Sequence, residues 1–295
     1  MTVALVAALT AASTLGVTPA AAGPADSWTL APGAYSAASD IVRVGDAIEL
    51  GRAPAAALSG ERTGIAEFAP RTLNVPARRI TASGAQPGVE VDVRGRGQDG
   101  WTQWYPAPAT LPQPSDTVQV RFVLGEDSRQ NRPITLAASA LASPQAADRP
   151  ADASTYTVFA TREGLVGGRT ASGHVITQSD HFVALPSRRA LSIDDDADYQ
   201  VTVCAGDRCV TEPVLDVGPW NTHDDYWNTC RENFGDLPQG TPEAQAAYTD
   251  DYHAGTDSHG RRVRNPAGID LADGTFADLG LSGNAWVSVR FDWTG

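Results

Sequence analysis

The 295 residues carry 42% hydrophobic and 19% charged side chains, enough apolar material for a buried core and enough length for two domains. Acids outnumber bases 35 to 22, a formal charge of -13, which argues against nucleic acid as a partner because phosphate contacts need a basic face. The excess is lopsided: residues 23–140 hold 12 acids and 11 arginines, whereas residues 141–295 hold 23 acids and 11 arginines. The second half therefore repels polyanions, and salt limits that repulsion to ~8 Å.

The first elements in chain order concern targeting. Met1 to Val17 are apolar or small and uncharged, and an Ala-rich stretch, Thr18 to Gly23, follows them. This pattern reads as the apolar region and cleavage site of a secretory signal over residues 1–22, without the usual positive start. It implies a secreted protein, extracellular or associated with the cell wall. No later stretch of ~18 apolar residues occurs, so no membrane span is expected in the mature chain.

Residues 23–140 show short alternating runs, such as Val89-Glu90-Val91-Asp92-Val93-Arg94 and Val118 to Leu124, divided by Gly, Pro, Asn and Asp. Period two means half-buried strands, and many of them at short spacing predict an antiparallel β-sandwich. Residues 141–154, with two prolines and no apolar period, read as a flexible linker. Residues 155–295 open on the strand-like Tyr156 to Ala160 and close on the alternating Ala285 to Phe291. Trp286 and Trp293 in that tail are expected in the core. Between them, Tyr199 to Cys204 and Cys209 to Leu215 read as a hairpin whose turn is Ala-Gly-Asp-Arg. A Cys204–Cys209 disulfide across that turn is expected, with Cys209–Cys230 as the competing pairing. Thr241-Pro242-Glu243 to Tyr248 predicts a helix capped by Thr241 with Pro at its first position. A second short helix is placed between Ile269 and Leu279.

Asp216 ends an apolar strand and precedes the Gly218-Pro219 turn. Apolar neighbours at a sheet rim raise a carboxyl pKa, which suits a general acid; the alternative is an acceptor that caps the turn. The long segment Asn221 to Arg264 is rich in His and Asp, yet its spacing fits no metal site, and it reads as a solvated acidic lid. The run Asp194-Asp195-Asp196 reads as an exposed turn. Trp220, Tyr226 and Trp227 flank Asp216 and are candidates for stacking on sugar rings, with core packing as the other reading. No metal and no cofactor are expected.

Thr170-Ala171-Ser172-Gly173, His181, Leu185-Pro186, Asp216-Val217-Gly218-Pro219, Gly268-Ile269-Asp270-Leu271-Ala272 and Leu279-Gly280 follow one another in order. This succession resembles the double-psi β-barrel of rare-lipoprotein-A-like proteins, related to expansins, barwins and family-45 glycoside hydrolases. The likeness spans Tyr156 to Trp293 and implies a mainly β chain: an N-terminal sandwich, then a six-stranded double-psi barrel with short helices and a long insertion. It makes Asp216 the acid and His181 its companion, and sets Asp270 at a closing helix. Asp270 and Asp180 are then the second-acid candidates, and His174 joins Trp220, Tyr226 and Trp227 in binding substrate. The sequence departs from the family where His174 replaces a Glu, between Gly173 and His181, which is short, and in the insertion. The implied activity is cleavage of cell-wall glycan like that of a lytic transglycosylase, which can run on one carboxylic acid. The alternative is a non-hydrolytic polysaccharide-binding module, with the sandwich as an auxiliary glycan-binding domain. Either is expected to work as a monomer.

Overall fold

A computed structural model describes residues 26–51, 62–98, 100–140, 154–193 and 197–293. The signal-like start, all but the last residue of the expected linker and the triple-Asp run lie outside the described residues. Among the described residues no helix is long and apolar enough to cross a membrane.

The chain is mainly β. Its N-terminal part is an antiparallel sandwich built on two long strands, Arg71–Ser83 and Ala109–Leu124. Ala109–Leu124 also pairs with Val89–Gly97 in antiparallel register, Val118 opposite Gly95 and Leu124 opposite Val89. The smaller sheet, Ile41–Val44 with Ala47–Leu50 and Arg129–Gln130, contributes Ile48 to the core between the sheets. Val89, Val91, Val93, Val118, Val120 and Phe122 fill that core, as the alternation requires.

The intervening residues depart from expectation. Asp92, Arg94, Gln119 and Arg121 are all buried, because the C-terminal half docks on the face where the alternation would put solvent. The two guanidinium groups of Arg94 and Arg121 stand 4.4 and 4.5 Å from the Trp104 ring centroid. Arg121 donates to Asp92 Oδ2 at 2.9 Å and to the Arg188 carbonyl at 2.7 Å, and Arg94 donates to the Tyr199 hydroxyl and pairs with Asp198. Trp104 itself lies in the core of the C-terminal half. Among the described residues the two halves share no strand, but they are packed together rather than independent.

The second half is a closed six-stranded barrel. Its strands, numbered here within the barrel, are β1 (Thr155–Arg162), β2 (Val183–Leu185), β3 (Gln200–Ala205), β4 (Arg208–Val217), β5 (Ala267–Leu271) and β6 (Ala285–Phe291). Around the barrel they run β1-β5-β2-β4-β3-β6, with β1·β5 and β2·β4 parallel and the other pairs antiparallel. Val158, Ala160, Val183, Leu185, Val201, Val203, Val214, Ile269, Leu271, Val287 and Val289 point inward and are fully or almost fully buried. The hairpin β3–β4 sets Cys204 opposite Cys209, and the two are bonded; Cys230 takes no part in that bond.

Helix α1 (Glu243–Asp250) forms where Pro and helix formers predict it, one residue later than the expected cap. Thr241 does not cap it. Asp224, distant in sequence, accepts the Glu243 N–H at 2.7 Å instead. Helix α2 (Asp273–Asp278) is shorter than the span suggested, because Ile269-Asp270-Leu271 belongs to β5.

Trp104→Ala would empty a fully buried site shared by both halves, at a cost of ~3–5 kcal/mol. Urea unfolding followed by near- and far-ultraviolet circular dichroism should show one destabilised transition. An unchanged midpoint would mean that the Trp104 contact does not hold the halves together.

Candidate functional site

The barrel alternation turns one row of polar side chains outward. Val183 and Leu185 occupy the core, so Ala184 between them faces out. Ala184 pairs with Asp216 on β4 and with Asp270 on β5, and residues directly opposite share a face. Asp270 in turn pairs with Thr161 on β1, whose hydroxyl donates to Asp270 Oδ1. The row thus reads Thr161, Asp270, Ala184, Asp216 across four strands. Glu163 follows Thr161 by two residues, where β1 ends, and its N–H is held by the Leu271 carbonyl. A β-carbon added at Gly218 would stand 3.8 Å from Asp270 Oδ2, so that carboxylate reaches toward the turn after β4.

The loop from Gly164 to Phe182 crosses this row. Within it the Thr-Ala-Ser-Gly run is tied down by a Thr170–Ser172 hydroxyl contact of 2.8 Å and by the His174 N–H on Thr170 Oγ1. The Ala171 N–H donates to Asp216 Oδ1 at 2.8 Å, and so does the N–H of Val217. Ile176, Phe182, Leu215 and Ala272 form an apolar cluster beneath the loop. Asp216, Asp270 and Glu163 are half-buried: crowded by protein, yet open to solvent in part.

This setting determines their protonation. Burial pushes Asp216 up to about 6, helped by the charge of Asp270 and opposed by the two backbone N–H groups. Burial likewise lifts Asp270 to about 6 against the pull of the Thr161 hydroxyl. Glu163 rises furthest, to about 9, through burial and then the charges of Asp270, Asp216 and Asp273. All three carboxyls are thus raised by burial, Glu163 most, so the cluster holds protons above the ordinary carboxyl range. Two cavities, of about 450 and 320 Å³, are lined by other residues than these three.

The other expected site residues are placed differently. His181 bonds Asp278 at 3.1 Å on the side of α2, so the structure gives it a partner other than Asp216. Asp180 accepts from Thr177 and contacts His174 at 2.6 Å; burial opposes its ionisation, but those partners hold it below the ordinary carboxyl range. It is a clamp on the loop, and His174 serves the same clamp. Asp270 sits on a strand and caps no helix. Tyr226 and Trp227 are 0% and 2% exposed and plug the barrel core against Phe291, so neither stacks on a ligand. Trp220 is half-buried and donates from Nε1 to Asn265 at 3.0 Å. The insertion's first acids are not solvated either: Asp224 pairs with Arg231 and Asp225 with Arg189, all buried or nearly so. Conversely Trp286, expected in the core, is 49% exposed.

Glu163 was missed. Its signal was available, because Thr161-Arg162-Glu163-Gly164 repeats the pattern of a strand-terminal acid before glycine that singled out Asp216.

Residues 154–290, the barrel, match a domain of unknown function, DUF8814. No curated protein sequence matches the chain. Among solved structures, the Streptomyces papain inhibitor (SPI) is similar over 47% of this chain and 94% of its own, at 17% identity and a TM-score of 0.26.

Glu163 keeps its proton up to about 9 when folded and has an ordinary value of 4.5. Between those values the folded chain binds more protons than the unfolded one, so stability falls as pH rises. Glu163→Gln removes that loss, and its gain in Tm over the wild type should grow from pH 5 to pH 9. Thermal unfolding at pH 5, 7 and 9 measures this; the same Tm offset at all three would mean that Glu163 titrates normally.

Proposed function

We propose that the barrel cleaves glycosidic bonds in a neutral or sparsely charged cell-wall polysaccharide by acid–base chemistry, outside the cell. The observation that carries this reading is the gathering of three half-buried carboxyl groups, Asp216 and Asp270 on either side of Ala184 and Glu163 at the end of β1, each with its pKa raised by burial. The cystine Cys204–Cys209 fits an oxidising compartment. The charge of the second half fits a substrate that is not a polyanion. The resemblance to rare-lipoprotein-A-like and expansin-like barrels supports a glycan as the substrate class.

In this mechanism the single-acid scheme built on Asp216 becomes a division of labour. Glu163 donates its proton to the leaving glycosidic oxygen as the bond from that oxygen to C1 breaks. A hydroxyl of the same sugar then closes onto C1, and its proton passes to the Asp216 carboxylate. Asp270, fixed by Thr161, keeps negative charge beside the cationic sugar in the transition state. Proton exchange with solvent restores Glu163 and Asp216. The released end is an anhydro sugar, lighter by one water than a hydrolysis product.

Activity on purified cell-wall glycan strands should be bell-shaped in pH. It rises as the aspartates ionise near pH 6 and falls as Glu163 ionises near pH 9. Glu163→Gln and Asp216→Asn should each lower release of soluble sugar by ~10²–10⁴ while pull-down on the same glycan is retained. Mass spectrometry of the products separates ring closure from hydrolysis. Soluble sugar released equally by wild type and both variants removes these residues from the chemistry. Binding with no release at all by the wild type favours the non-hydrolytic module.

A further inference from the structure

The carboxylate row does not end at Thr161. Two residues earlier on the same outward face of β1 stands Phe159, about 7 Å away along the strand. Phe159 pairs with Trp286 on β6, and their rings meet edge-on at 5.5 Å between centroids. The inward positions of β6 belong to Val287, Val289 and Phe291, so the register holds the indole outside the barrel. It is among the most exposed large hydrophobic side chains of the described residues. The next outward pair along the same two strands is Thr157 with Ser288, followed by Thr155 with Arg290.

We propose that Trp286, oriented by Phe159, is a stacking subsite for a pyranose ring of the polysaccharide strand whose bond lies at Glu163, Asp216 and Asp270. This rests on the glycan-cleaving reading and supplies the aromatic contact that Tyr226 and Trp227, being core, do not. Three features select a sugar over a protein partner. The apolar area is one indole and its supporting ring, far below the ~800 Å² per side that a stable protein interface buries. The hydroxyl groups of Thr157 and Ser288 form the next outward pair, matching the hydrogen-bonding rim of a sugar ring whose axial C–H face lies on the indole. It also lies on the same outward face as the acidic row, two strands across from Asp270 and two residues along, a separation of about 12 Å, or two to three sugar units. An uncharged strand stacked there runs along the outer face of β1 toward the half-buried carboxylates.

The test uses the full chain in the Glu163→Gln background, so that the ligand survives the measurement. Calorimetric titration with chitohexaose and pull-down on purified peptidoglycan should show Trp286→Ala binding at least 10-fold more weakly than its parent. Trp286→Phe should recover most of the affinity. In the otherwise wild-type chain, Trp286→Ala should raise KM more than it lowers kcat. An unchanged Tm shows that the exposed indole was not holding the fold. Equal binding with and without the indole, or no binding of either glycan by the parent, overturns the subsite. If no chain releases sugar while Trp286→Ala still loses binding, the cleavage reading fails and the subsite stands.

Discussion

Everything at the site depends on a strand of three residues that is hydrogen-bonded on both edges. Val183 and Leu185 must face the core for the barrel to close, and that leaves Ala184 outward with a neighbour on each side. Those neighbours are Asp216 and Asp270, so the separation of the two acids is set by strand spacing and not by any contact between them. Only a methyl group stands between them on the sheet, and it is 1% exposed. Burial, and after it the charges of both acids, raises the pKa of Glu163.

Much of this was legible in the sequence, and what was not has physical reasons. The alternation located the barrel strands and the sandwich, and the spacing around the Ala-Gly-Asp-Arg turn located the disulfide. The rim position of Asp216 predicted its raised pKa. Pairing across strands was hidden, because β1 and β5 are more than a hundred residues apart. Glu163 could therefore not be joined to Asp216 by pattern alone, and Asp270 was joined to it only through the family resemblance. His181 and Asp180 carry the right chemistry, but other partners occupy them, the sequence-distant Asp278 and the nearby Thr177. The capping of α1 was misread for the same reason: a distant Asp224 outcompetes the adjacent Thr241.

The two halves meet through charge as well as shape. The sandwich turns two arginines toward the acidic barrel, where Arg121 satisfies carbonyl oxygens at Arg188 and Leu191 and Arg94 meets Asp198. Both are buried and would be costly alone, but Asp92, Glu67 and Gln119 complete their partners from the sandwich side. Such a joint constrains more than it stabilises, because it demands one relative orientation. It also explains why polar residues in the alternating runs were mistaken for solvent-facing ones: periodicity identifies two faces of a strand, and does not say what covers the second.

The fate of the aromatic residues follows from the same distinction. Trp227 belongs to an insertion with no strand period, and its neighbours Asp224 and Asp225 are pinned by Arg231 and Arg189. With the backbone held there, the ring has only the open end of the barrel to fill, and its Nε1 finds Gln103 of the sandwich. Trp286 belongs to a strand whose two faces are unequal. Placing Val287, Val289 and Phe291 inside buries three apolar groups, whereas the opposite register would bury Ser288 and Arg290 with the indole. A slip of one residue exchanges the faces entirely. The arginine alone forbids it, so the indole is exposed by the demands of its neighbours, and what it offers to solvent is an aromatic face beside the acids.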